Sequence, residues 1–195
     1  GAWFLRLVRK IRGELTRGGV AYLKAVIMAG GEGSRLRPIT CACPKPMVPV
    51  LDKPVMEYAL ELLVRHGVRE ACVTLMYLPE RIMDHFADGS EYGLTLTYRM
   101  EKTPLGTAGG VRAARDFLDG TTVILSGDGL TDCDLTRALA FHREKGALAT
   151  MVLKKVKSPL EYGVVCTDGD GRVTRFVEKP GWGEVCSDAV NTGIY

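Results

Sequence analysis

Short apolar runs alternate along the chain with segments whose apolar positions recur every three or four residues. Lys24 to Ala29 is almost wholly apolar, the pattern of a central strand buried on both faces. Asp52 and Pro54 then open a helix with apolar positions 55, 56, 59, 60 and 63 on one stripe, closed at Gly67. The pattern continues as a strand over 71–76, a helix over 80–87, an alternating strand over 94–99, a helix over 107–116 and a strand over 121–126. Asp134 caps a further helix that runs to Lys145 and stops at Gly146. Beyond it the runs 147–155, 163–167, 173–177 and 190–195 are strand-like, and Asp168-Gly169-Asp170-Gly171 reads as a hairpin turn.

Strand–helix alternation predicts an α/β fold: a Rossmann-like three-layer sandwich with a mostly parallel mixed sheet. Its binding site is expected at the carboxyl ends of the strands. The back half of the chain supplies the mixed part. Residues 24–195 read as a single domain, large enough to bury a core.

Composition narrows the class. Hydrophobic content of 46% with 25% charged residues is that of a soluble globular protein. A net charge of +3 makes no case for nucleic acid. No apolar run approaches the ~18 residues of a membrane span. Six cysteines, at 41, 43, 72, 133, 166 and 186, form no C-x-x-C pair, and three histidines add no metal spacing. Reduced thiols in a cytoplasmic protein are the expectation. The basic stretch Trp3 to Arg12 could lie on a membrane surface, yet it lacks the apolar region and cleavage site of a signal peptide. No membrane partner is expected.

The chemistry concentrates where the first strand ends. Ala29-Gly30-Gly31-Glu32-Gly33-Ser34-Arg35 is a glycine loop with an arginine, and Lys45 follows between Pro44 and Pro46. Glycines let backbone N–H groups crowd an anion, and the cations neutralise it. The segment reads as a cradle for a nucleoside triphosphate. Gly33 is followed by Ser34-Arg35 rather than Lys-Ser/Thr, so it is not a P-loop. Leu36 stands where a dinucleotide fingerprint needs its last glycine. Asp128 lies on a Gly-Asp-Gly turn after the strand ending at Ser126, a placement suited to Mg²⁺.

The pattern from Ala29 through Gly30, Gly31, Gly33, Arg35, Leu36, Pro38 and Thr40 to Pro44-Lys45-Pro46-Met47 closely resembles the signature of the sugar-nucleotide pyrophosphorylases. These nucleotidyltransferases make NDP-sugars from an NTP and a sugar 1-phosphate. The likeness covers Lys24 to Tyr195 and is greatest to the mannose-1-phosphate guanylyltransferase branch. It implies that the chain is the N-terminal part of a nucleotide-diphospho-sugar transferase fold. Family members begin near the position of Leu23, so residues 1–23 read as an extension before the native start. The family also continues past Tyr195, where its second metal-binding aspartate lies.

The resemblance also distributes roles. Arg35 and Lys45 are the catalytic cations. Ala29, Gly30, Gly31, Gly33, Ser34, Arg35, Lys45, Gly106, Thr107 and Asp128 hold the nucleotide, and Asp128 takes the metal, Mg²⁺. Glu178-Lys179-Pro180 matches the family's Glu-Lys-Pro, with Glu178 on sugar hydroxyls and Lys179 on the sugar phosphate. Gly163, Asn191 and Thr192 match segments that close the sugar side. Glu101 occupies the base-recognition loop. A carboxylate only accepts hydrogen bonds, and guanine offers two adjacent donors, N1–H and N2–H. A guanine base is therefore expected, and with it GTP and mannose 1-phosphate. UTP or dTTP with glucose 1-phosphate is the alternative. A non-catalytic relative, as among translation initiation factor subunits, should have lost Arg35, Lys45 or Lys179, and all three are intact. Homo-oligomerisation stays open.

Overall fold

Lys24–Met28 forms β1, and its three middle residues, Ala25, Val26 and Ile27, are wholly buried in the computed structural model, which describes residues 23–195. The expectations about residues 1–22 lie outside the described residues. The chain divides into two compact units after Leu148.

In the first unit β1 is flanked on both sides by parallel neighbours. The sheet order is β5 (Thr95–Met100), β4 (Glu70–Leu75), β1 and β6 (Thr122–Ser126). Lys24 aligns with Glu70 on one side and Thr122 on the other, so the carboxyl ends of β1, β4 and β6 are level. A strand with neighbours on both edges and cover on both faces has no solvated side, which is why its sequence is continuous rather than alternating. Two very short strands, β2 (Pro49–Val50) and β3 (Lys53–Pro54), form a hairpin before the first helix.

Helix α1 (Val55–Arg65) buries Val55, Met56, Ala59, Leu60, Leu62 and Leu63. This is the predicted stripe widened by Leu62, and full burial of Leu60 or Leu63 contributes about 1.5–3 kcal/mol each. Asp52 does not cap it: Asp52 lies in the β2–β3 turn, and Pro54 takes the N-cap position with no side-chain cap. Helix α2 (Pro79–Phe86) anchors through Ile82 and Phe86. Helix α3 (Gly106–Ala113) is shorter than the predicted 107–116. Its tail tightens to i→i−3 bonds, Ala114 N–H to Val111 O and Arg115 N–H to Arg112 O, both 3.1 Å. That turn brings Phe117 and Leu118 back onto Val26, Cys72 and Ala114. Helix α4 (Leu135–Lys145) begins and ends as expected: Asp134 accepts from Arg137 N–H at 2.9 Å, and Gly146 closes it at φ 54°.

The second unit is an antiparallel sheet in the order β7 (Leu153–Lys155), β10 (Ala189–Asn191), β8 (Gly163–Thr167) and β9 (Val173–Glu178). The β8–β9 hairpin forms where predicted. Asp168 Oδ1 accepts from Asp170 N–H at 3.0 Å and Arg172 N–H at 2.9 Å, so a side chain builds the turn. The runs 147–155 and 190–195 both shrink. Ala147 N–H is spent on the α4 terminus, bonding His142 O, and Gly193 at φ 76° breaks the last run after Asn191. The mixed α/β class stands, while the back-half strands pair among themselves in a sheet of their own.

One expectation is corrected. Cys166 and Cys186 are joined as a disulfide with Cα atoms 6.0 Å apart, within the span a disulfide bridges. The loop before β10 returns Cys186 to Cys166 of β8, bringing together two thiols that sequence spacing keeps apart. The other four cysteines are free thiols.

Candidate functional site

Level strand ends leave a hollow beyond them, and in the first unit this is a cavity of about 390 Å³. Its rim is stitched by backbone bonds: Ala29 N–H to Thr74 O and Gly127 N–H to Met28 O, both 2.9 Å. The volume falls in the range of small-molecule sites.

Each strand contributes at its end. Ala29, Gly30 and Gly31 leave β1 and line the hollow, Ser126 and Asp128 come from the end of β6, and Glu101 follows β5. Lys45 reaches in from the loop, on a single 3₁₀ turn spanning Lys45–Met47. Gly106 and Thr107 enter from the first turn of α3. Eight residues read from sequence as nucleotide contacts thus share one cavity.

The other three, Gly33, Ser34 and Arg35, stand beside it rather than in its wall. Ser34–Leu36 is a 3₁₀ turn whose residues are exposed, and Gly33 caps it at φ 62°. Thr40 lies wholly buried beneath, and its hydroxyl donates to Gly33 O at 2.9 Å. The Tyr77 hydroxyl reaches Thr40 O at 2.9 Å and Cys41 O at 3.1 Å, tying the loop to the segment after β4. A Cβ at Gly33 would meet Lys45 Cβ and Thr40 Cγ2, each at 3.0 Å. Gly33→Ala is therefore expected to cost about 1–3 kcal/mol from left-handed strain alone, visible as a lowered denaturant midpoint. An unchanged midpoint would show that the loop readily adopts another path.

Lys45 Nζ is paired with Asp128 Oδ2, and the Ser126 hydroxyl donates to Asp128 Oδ1. Burial is the largest single influence on the Asp128 carboxyl and pushes its pKa up. The hydrogen bonds from Lys45 and Ser126, with the lysine charge, together outweigh it and hold the group below the usual carboxylate value. Among the described residues, Arg37 pairs with Glu32 alone, in an exposed contact at 3.4 Å.

In the second unit the register gathers the predicted sugar-side residues at one end of the sheet. Gly163 on β8 pairs with Glu178 on β9, and Lys179 follows with its N–H bonded to Tyr162 O at 3.0 Å. Val164 pairs with Val190, which sets Asn191 beside Gly163. Lys179 takes φ 46°, an uncommon conformation for a side-chain-bearing residue and one that marks a constrained position. Asn191 Nδ2 donates to the Tyr195 hydroxyl at 2.6 Å, and Thr192 Oγ1 to Val152 O at 2.7 Å, so both side chains also hold the strand end.

Sequence reading missed Thr74, Met76, Gly110 and Ser126 in the cavity wall. Thr74 and Ser126 carried a signal: each is a hydroxyl that directly follows a run of three apolar residues in its strand. Among the described residues no group of three or more His, Cys, Asp or Glu side chains forms a metal cluster. No helix among them is long and apolar enough to cross a membrane.

Known proteins resemble this chain in sequence and in fold. The profile of the nucleotidyl transferase family matches residues 24–195. The chain is 46% identical to a UTP–glucose-1-phosphate uridylyltransferase of Synechocystis, across 89% of this chain and 48% of that protein. It is 38% identical to the mannose-1-phosphate guanylyltransferase catalytic subunit beta of Danio rerio, across 89% and 49%. The chain thus spans about half the length of these relatives. In fold it is similar to a UDP-glucose pyrophosphorylase bound to UDP-glucose, with a TM-score of 0.76 at 19% identity, over 88% of this chain and 74% of that one.

Proposed function

The chain belongs to the nucleotidyl transferase family, and on that footing we propose that it carries the nucleotide half, and part of the sugar half, of a sugar-1-phosphate nucleotidyltransferase. In this reaction a phosphate oxygen of the sugar 1-phosphate attacks the α-phosphorus of an NTP. The bond from that phosphorus to the bridging oxygen breaks, and pyrophosphate leaves with the electron pair. The nucleophile is already an anion, so no proton need be removed, consistent with a cavity whose lining holds no histidine.

Work then falls to positioning and charge. The exposed Arg35 guanidinium would grip the β- and γ-phosphates as a fork. Lys45 acts as a point charge near the α-phosphate. Asp128 is a hard-oxygen donor in the cavity wall, and Mg²⁺ is commonly held by one or two carboxylates together with substrate phosphates, so the residue fits the ion. When bound, Mg²⁺ supplies neutralisation of phosphate charge. Lys179 and Glu178 would hold the sugar phosphate and sugar hydroxyls.

The preferred substrates are GTP and mannose 1-phosphate. The observation that supports guanine is Glu101, a half-buried carboxylate in the cavity wall. Its Oε2 is occupied by Leu105 N–H at 3.3 Å. A second reading, UTP with glucose 1-phosphate, is favoured by the higher identity to the Synechocystis relative. Pyrophosphate release with each NTP against mannose and glucose 1-phosphates separates the two. Glu101→Gln is expected to erode the GTP-over-UTP ratio in kcat/KM by about tenfold, the scale of one charge-assisted hydrogen bond. An unchanged ratio counts against base reading by Glu101.

A further inference from the structure

Thr74 stands near the end of β4 between Val73 and Leu75, both wholly buried, and in register with Met28 of β1 and Arg99 of β5. Alternation along the strand places it on the same face as Cys72, which packs against Ala114 beyond α3. Valine, the same shape without the hydroxyl, would serve the packing of this strand as well or better. Yet the residue is 0% exposed, its Oγ1 has no hydrogen-bond partner, and it lines the cavity. Buried hydroxyls are nearly always paired, so an orphan facing a cavity points to a ligand group.

Gly110 shows what the hydroxyl faces. A Cβ on Gly110 would stand 2.8 Å from Glu101 Oε1 and 3.5 Å from Thr74 Oγ1. Carboxylate and hydroxyl therefore both lie against the same residue of α3, and the absence of a side chain at 110 is what lets Glu101 Oε1 stand there beside Thr74. Leu105 N–H occupies Oε2, and Oε1 stands beside Gly110 in the cavity wall. The two groups differ chemically: the carboxylate only accepts, whereas the hydroxyl also donates.

We propose that Thr74 is a specificity-determining residue whose hydroxyl donates to a keto oxygen of the base, next to the ring N–H that Glu101 accepts. The proposal rests on the reading of Glu101 as a base contact. Guanine presents this pair as O6 and N1–H, with N2–H as a second donor that Glu101 also accepts, and uracil as O4 and N3–H alone. Adenine and cytosine present an amino group beside a bare ring nitrogen, which would set lone pairs against the carboxylate.

The test is equilibrium binding of GTP, UTP and ATP to the full chain by calorimetry, with thermal melts of the free protein, for wild type, Thr74→Val, Thr74→Ser and Glu101→Gln. Thr74→Val is expected to weaken the better-bound of GTP and UTP about five- to tenfold, the worth of one neutral hydrogen bond. Its free-protein melting point should hold or rise, because an unpaired hydroxyl is removed. Thr74→Ser should stay within about threefold of wild type, since it keeps the donor. Unchanged affinity in Thr74→Val, an equal loss for ATP, or a lowered melting point of the free protein each overturns the proposal. If UTP binds better than GTP and Thr74→Val weakens UTP, the guanine reading fails while the role of Thr74 stands. If Glu101→Gln leaves all affinities unchanged while Thr74→Val does not, the carboxylate is the part that fails.

Discussion

Replacing Arg35 with alanine is expected to lower kcat/KM at least about a hundredfold, the scale of losing one electrostatic donor to a charged transition state, and to leave the melting temperature within about a degree of wild type. Both halves follow from where the residue sits. Arg35 is exposed on the turn Ser34–Leu36, and among the described residues no carboxylate pairs with it, so folding gains little from its guanidinium. The turn is nevertheless firmly placed: Leu36 N–H bonds Gly33 O at 2.9 Å, and the buried Thr40 hydroxyl fixes Gly33 from below. An exposed charge with no carboxylate partner among the described residues is available to phosphates. Arg35→Lys should recover part of the loss, because it restores charge but not the two-pronged fork. Steady-state kinetics with varied NTP, alongside a thermal melt, measures both; a loss under threefold refutes the role.

Lys45→Ala is expected to reduce kcat/KM by a hundredfold or more, and unlike Arg35→Ala it should also change how stability depends on pH. In the wild type, Lys45 and Ser126 hold the Asp128 carboxyl below its usual range against the upward push of burial. A depressed folded value means that the ionised group stabilises the fold at pH values above the unfolded carboxylate pKa of about 4. This contribution fades as pH falls through the folded value. Without Lys45, burial is left as the main influence and the carboxyl rises. The half-buried carboxylate is then an uncompensated charge at neutral pH. The variant should lose about 1–2 kcal/mol near pH 7, reduced from the fully buried case by the remaining exposure of the pair. The gap should close in acid, where Asp128 is protonated in both proteins. Urea unfolding followed from pH 7 down through the depressed folded value of wild-type Asp128 measures it, with the gap closing only below that value; a gap independent of pH would mean that Lys45 does not set the state of Asp128.

The elements were largely legible from the chain because their causes are local. The α1 stripe, the Asp134 cap and the Gly146 stop depend on periodicity and on backbone needs within a turn or two. Boundaries slipped where a longer-range partner decided. The predicted helix over 107–116 shortened because Ala114 and Phe117 are drawn onto Val26 and Cys72, a contact between residues far apart in sequence. Asp52 resembled a cap until the β2–β3 hairpin claimed it as a turn residue.

Site legibility divides in the same way. Glycines, cations and carboxylates in a fixed order announce phosphate chemistry, because few structural roles need Gly30, Gly31, Lys45 and Asp128 together. The sequence by itself determined the alternation of strands and helices, the end of β1 as the place of the chemistry, and the residues that carry charge there. Only the tertiary structure decided which of them meet. Parallel register brings Lys45 to Asp128 across the ends of β1 and β6, leaves Arg35 exposed outside the cavity wall, and sets the unpaired Thr74 hydroxyl and Glu101 side by side against Gly110. The loop before β10 likewise brings Cys186 to Cys166 of β8, against the expectation of free thiols. The physical reason is common to all of these: chemical identity is a property of one residue, whereas pairing, burial and an unmet hydrogen bond belong to residues that only folding makes neighbours.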